Sequence, residues 1–178
     1  YLFPRAHAVA YVMMAFRIAW FKVYHPLAFY AAYFSIRAKA FDLRIMTGDL
    51  KTQLTEFNRI KALDRAASPK DKDLMSALEV SMEMYQRGYR FINVDIQHSE
   101  ARRFSIKDGA LLPPFLAIDS LGETVADAIV EERNERPFTS LKDLQRRCKV
   151  SNTIIDLMKD LKCCGELPED EQMSLFGA

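Results

Sequence analysis

The sequence has few cysteines and few strong punctuators. Of its 178 residues only 3 are cysteine, 6 glycine and 7 proline. Three cysteines exclude a disulfide framework. Cys163 and Cys164 are adjacent and Cys148 stands apart, so no pair has metal-ligand spacing. A reducing cytosol fits this usage. No catalytic grouping of Ser, His and Asp, or of Cys and His, is legible. His25 reads as a helix-end residue and His98 as a surface residue. The most apolar stretch, residues 8–34, is interrupted by Arg17, Lys22 and His25-Pro26. It falls short of the ~18 clean apolar residues of a membrane span, and no signal peptide is visible. Neither a membrane partner nor wholesale disorder is expected, because 49% of residues are apolar and 28% charged.

Net charge is uninformative at +1, but its distribution is not. Residues 1–41 carry Arg5, Arg17, Lys22, Arg37 and Lys39 and no acid. Residues 165–178 carry Glu166, Glu169, Asp170 and Glu171 and no base. The segments have different roles. The first residue, Tyr1, enters in the middle of an apolar pattern, which suggests a piece of something longer.

The periodicity predicts mostly helix with a small β element, an α+β chain. Helices are expected over Ala8 to Tyr24 and Leu27 to Ala38, separated at His25-Pro26 because a residue before proline avoids helical dihedrals. A helical turn follows at Asp42 to Met46, with Gly48 as its C-cap, then helices from Asp49 and from Ser68-Pro69, the latter with serine as N-cap and proline in the first turn. Beyond Gly88 the texture changes. Phe91 to Ile96 and Arg103 to Ile106 alternate like short strands, Lys107-Asp108-Gly109 is a turn signal, and Leu111 to Phe115 is extended. Helices resume near 123–136, 140–147 and 151–161. These divisions give three parts: 1–88, 89–165, and a flexible acidic tail 166–178.

Three stretches carry chemistry. Phe115 to Val130 has the pattern of a helix-hairpin-helix: an apolar residue, a tight turn ending in Gly122, then a helix with small residues on one side. Glycine admits a close backbone approach to phosphate, and a helix N-terminus presents free N–H groups and the positive end of its dipole. Such contacts read no base. Ser120 and Thr124 flank the glycine. A weaker second hairpin spans Ser151 to Gly165, and Lys142, Arg146, Arg147, Lys149, Lys159 and Lys162 surround the pair as possible phosphate partners. The alternatives are a plain helical packing unit and a solvated basic face. Near the end, Gln172-Met173-Ser174-Leu175-Phe176 has the form of a linear motif whose apolar pair fills a pocket while the amide fixes orientation. At the start, Arg5 and His7 lie at a helix entry beside Tyr1, Phe3 and Tyr11, where a base can meet a phosphate and a ring can stack on a base pair. An apolar helix entry is the plainer reading. The close acids Asp71 and Asp73 lie in a first helical turn, where they favour the dipole.

Taken in order, these blocks resemble the C-terminal region of the PolC-type bacterial DNA polymerase III alpha subunit. Phe3-Pro4-Arg5-Ala6-His7-Ala8 with Tyr11, Phe21 to Pro26 with Tyr30 to Phe34, Asn93 to Ile96 with Ser99, the Leu121-Gly122 hairpin, and Gln172 to Phe176 carry the resemblance over essentially the whole chain. It implies that residues 1–88 end a polymerase fingers domain, with Tyr1, Phe3, Arg5 and His7 near the nascent base pair and incoming dNTP. Residues 89–165 would form a duplex-binding domain gripping primer–template DNA through Ser120, Gly122, Thr124, Lys142, Arg146, Arg147 and Lys149. Gln172, Met173, Leu175 and Phe176 would dock on the β sliding clamp, among other replisome subunits in the cytoplasm. The parent enzyme would use Mg²⁺ held by carboxylates outside this segment, so no catalytic residue is expected here. One departure stands out: the family often has glycine where this chain has Ser120. A serine can fill the turn, but if the position needs a positive φ the loop is strained. A non-catalytic DNA-binding scaffold and a helical interaction domain without DNA affinity remain open alternatives.

Overall fold

A computed structural model describes residues 4–170 of the chain. Eight α-helices are described: α1 (Arg5–Tyr24), α2 (Pro26–Ile36), α3 (Leu43–Met46), α4 (Leu50–Leu63), α5 (Pro69–Gln86), α6 (Glu123–Glu135), α7 (Leu141–Cys148) and α8 (Asn152–Asp160). Two short strands, β1 (Ser105–Lys107) and β2 (Ala110–Leu112), pair antiparallel with Ile106 opposite Leu111.

The helix starts follow local chemistry. Asp42 and Asp49 each accept from a backbone N–H three residues on, at 3.0 and 2.8 Å. Ser68 and Asp71 form a reciprocal capping box. That contact accounts for Asp71 as structural, as its first-turn position implies. Gly48 is not the left-handed cap of α3; Thr47 is the C-cap, in right-handed conformation. The β1–β2 turn falls where Lys107-Asp108-Gly109 places it, with Asp108 and Gly109 both at positive φ, 51° and 74°. Phe91 to Ile96 does not form the strand its alternation suggests. Phe91 makes one isolated bridge to Leu111, and the segment then turns to pin neighbouring loops through Asn93, whose amide donates to the Leu161 carbonyl.

Two hydrophobic clusters hold the elements together. One gathers Tyr30 and Phe34 of α2, Met46, Ile60 of α4, and Leu74, Leu78 and Met84 of α5. The other gathers Ile118, Leu121, Ala126, Ile129, Leu144, Ile155 and Met158 around α6, α7 and α8. The clusters do not separate at Gly88, just beyond the end of α5. Phe91 and Leu111 belong to the first cluster and Leu43 to the second. Phe34, Phe41, Phe91 and Phe104 interlock, with the Phe34 and Phe91 rings 4.9 Å apart.

Helix α1 lies largely exposed. Its apolar residues recur at helical spacing, yet none is buried, and Phe16 is 72% exposed. It packs on α2 and is anchored at its end, where Lys22 pairs with Glu83 of α5 at 2.9 Å and Arg87 donates to the Lys22 carbonyl at 2.9 Å. By length and composition this helix is long and apolar enough to cross a membrane, despite Arg17 and Lys22. The requirement for an uncharged run had excluded it. A helix apolar all round needs a covering surface.

Candidate nucleic-acid interface

Two turns in the second cluster share one backbone course. In the first, Ser120 is left-handed with φ 64°, Leu121 is buried, Gly122 is extended with φ −76° and ψ 157°, and α6 begins at Glu123. In the second, Lys149 is left-handed with φ 54°, Val150 is buried, Ser151 is extended with φ −70° and ψ 155°, and α8 begins at Asn152. The buried aliphatic residue anchors each turn, and the extended residue caps the helix. Ser120, Gly122, Glu123 and Thr124 are exposed, as are Lys149, Ser151, Asn152 and Thr153. Each turn therefore presents the open end of a helix to solvent.

The second turn corrects the position assigned from sequence. The hairpin is α7–turn–α8, turning at 149–151, whereas Ser151 to Gly165 is its second helix and exit. The shared signal was present in sequence as Ser120-Leu121-Gly122 and Lys149-Val150-Ser151, a polar, an aliphatic and a small residue before a helix. Asn152 and Thr153 were missed with it.

The departure at Ser120 is realised. The left-handed residue of the first turn is this serine, whereas Gly122 has an ordinary extended conformation. A left-handed L-residue costs about 1–2 kcal/mol, while glycine loses more entropy on folding. Ser120→Gly is expected to stabilise the chain by about 0.5–1 kcal/mol in urea unfolding; no gain would mean that the serine is not strained.

The two hairpins are locked together by a buried carboxylate. The Asp143 side chain is fully buried on α7. It accepts from Arg146 at 2.7 Å, from Arg147 at 3.3 Å, from Arg136 at 3.4 Å and from the Thr139 N–H at 3.3 Å. Burial alone would raise its pKa; the bonds from Arg146, Thr139 and Arg147 outweigh that and hold the carboxyl below the usual range. Arg147 is the other half of the lock. It donates to the Glu132 carboxylate at 2.9 Å, to the Glu132 carbonyl, and to the Arg136 carbonyl at 3.0 Å, with its guanidinium 4.7 Å from the Phe138 ring centre. Only 11% of its side chain is exposed. Arg147 thus ties the end of α6 to α7, and its side chain faces inward rather than toward a phosphate. Arg102 similarly clamps the start of α6 across its first two turns, donating to Asp127 at 3.1 Å and pairing with Glu123.

The other cations assigned from sequence divide by surroundings. Lys149 is exposed at the second turn. Arg146 is mostly exposed and leans on Asp143. Lys142 is exposed and paired with Asp170. Residues 166–170, assigned by sequence to a flexible tail, lie against α7 and α8. The Pro168 and Glu169 carbonyls accept from the N–H groups of Leu141 and Lys142 at 2.9 and 3.2 Å. Arg5 and His7 are exposed in the first turn of α1, His7 stacking edge-on against Tyr11 at 4.5 Å. Tyr1 and Phe3, and Gln172, Met173, Leu175 and Phe176, lie outside the described residues. All three cysteines are free and buried, and burial pushes the Cys163 thiol up to about 12. The described residues hold no group of three or more His, Cys, Asp or Glu placed to take a metal.

Comparison with known proteins agrees with this geometry. Residues 88–172 match the family described as a helix-hairpin-helix motif. DNA polymerase III PolC-type from Caldanaerobacter subterraneus subsp. tengcongensis is 47% identical over 176 residues, covering 99% of this chain and 13% of that protein. DNA polymerase III PolC-type from Streptococcus pyogenes serotype M12 is 45% identical over 179 residues, covering 99% of this chain and 12% of that protein. The chain therefore spans about an eighth of the curated relatives it matches. Its two matched turns, and its similarity from end to end, make it a helix-hairpin-helix segment of the PolC-type DNA polymerase III family.

Proposed function

We propose that this segment serves a template-directed DNA polymerase by gripping primer–template duplex through the backbone of both hairpin turns. The observation that carries the reading is the repeated turn: a left-handed residue, a buried aliphatic, an extended cap and an exposed helix start, twice in one cluster. Two such N–H cradles meet phosphates, with Lys149 and Arg146 adding charge. Ser120, Gly122 and Thr124 line the first; Lys149, Ser151 and Asn152 line the second. The reading predicts equal affinity for duplexes of unrelated sequence, weakened about tenfold or more between 50 and 200 mM salt. Fluorescence anisotropy measures both. Sequence preference with little salt dependence would overturn it.

The parent's reaction is addition of deoxynucleotides to a primer 3′ end. Its two Mg²⁺ ions need converging carboxylates. Among the described residues no group of three or more His, Cys, Asp or Glu is placed to take a metal, and no chemical step is assigned to them. Arg5 and His7, with Tyr1 and Phe3, are proposed to face the nascent base pair and incoming dNTP. The exposed apolar surface of α1 is read as covered by other parts of the parent polymerase rather than by lipid, since relatives extend far beyond this segment. As a bacterial replication protein it would work in the cytoplasm.

Gln172 to Phe176 is proposed to dock on the β sliding clamp through Leu175 and Phe176, with Gln172 and Met173 orienting them. A peptide of residues 166–178 is expected to bind purified clamp, and Leu175→Ala/Phe176→Ala to abolish that binding. Binding retained by the double variant would place the contact elsewhere.

A further inference from the structure

The acidic segment after α8 is held on the basic face of the second hairpin. Leu167 is half-buried against the second cluster and anchors the chain there. The next two carbonyls, of Pro168 and Glu169, take the N–H groups of Leu141 and Lys142 at the start of α7. The next two carboxylates take lysines: Glu169 accepts from Lys159 of α8 at 2.6 Å, and Asp170 pairs with Lys142 of α7. Four acceptors in succession thus satisfy two backbone donors and two ammonium groups. That is the same set of donors a phosphodiester backbone would take. The contact is built for exchange. All four charged side chains are substantially exposed, so each pair is weak. By contrast, the buried lock at Asp143 cannot open without stranding a charge.

We infer that residues 166–170 act as an internal competitor for duplex DNA, an anionic strap that occupies Lys142, Lys159 and the start of α7 until a phosphate backbone displaces it. The inference rests on the duplex-binding reading above. The strap leaves the 149–153 turn itself uncovered and gates the basic face of α7 and α8 that flanks it, whereas no such segment lies on the first hairpin among the described residues.

The test compares four forms of the 178-residue chain by anisotropy with one fluorescent duplex: wild type, Glu169→Gln/Asp170→Asn, Lys142→Ala/Lys159→Ala, and Asp64→Asn/Glu79→Gln. The last removes two exposed acids from α5 and the end of α4, matching the change in net charge. Neutralising the strap is expected to tighten binding about three- to tenfold at low salt, with the gap narrowing as salt rises. The lysine pair is expected to weaken binding by at least as much, and the charge-matched control to change it less than twofold. If the lysine pair weakens binding while the strap variant binds like wild type, the competitor falls and the duplex reading stands. Equal tightening by the charge-matched control also overturns the competitor, since net charge alone would explain it. If wild type and all variants fail to bind duplex, the duplex reading itself fails and takes this inference with it.

Discussion

Asp143→Ala is expected to cost the chain about 3 kcal/mol of stability, the lower end for breaking a buried ion pair. The carboxylate has no solvent exposure and serves three arginines and a backbone N–H. Arg136 and Arg146 are mostly exposed and will turn to water, which moderates the loss. Arg147 cannot, because it lies between Glu132, the Arg136 carbonyl and Phe138. Urea unfolding at neutral pH measures the effect, and a change below about 0.5 kcal/mol would show that the carboxylate is not the lock. The pH dependence has a definite sign. The folded carboxyl titrates below its unfolded value of about 3.9, so its contribution is complete above that value and is lost as pH falls through the lower folded one. In Asp143→Ala that part of the acid-side loss should vanish.

Gly122→Val is expected to weaken duplex binding about tenfold or more while leaving the fold intact. Gly122 has φ −76°, which any residue adopts, and a side chain there would meet nothing within 4 Å. Valine is a poorer helix cap than glycine, so a loss of up to about 1 kcal/mol of stability is allowed for. The protein itself therefore makes no demand for glycine at 122. A demand would come from a phosphate approaching the backbone, which added bulk would hold off. Anisotropy with duplex, alongside a thermal melt, separates the two. Unchanged affinity would remove the first turn from the interface.

Much of this site is legible in the sequence because its signals are local. Serine caps at 68, 140 and 151, the Asp108-Gly109 turn and the glycine after Leu121 each act within a few residues, and each falls where local chemistry places it. The second hairpin was misplaced by a few residues because Lys149 carries the left-handed turn without a glycine to mark it. The direction of Arg147 depended on tertiary structure. Arg146 and Arg147 are neighbours in sequence, but successive helical residues point about 100° apart, and only the position of the end of α6 decides which is drawn inward. Residues 166–170 have no periodicity, and their place is set by donors at the start of α7, distant in sequence. The α1 periodicity marks a helix but not what covers it, and the described residues leave its apolar side chains exposed.

The most direct test of the duplex grip is amide-resolved NMR of the ¹⁵N-labelled chain titrated with a short duplex of arbitrary sequence. The account predicts that the largest shifts fall on the backbone amides of residues 120–124 and 149–153 together, since both turns offer N–H groups to one phosphate backbone. Shifts confined to other surfaces, or absent from both turns at saturating duplex, would contradict it.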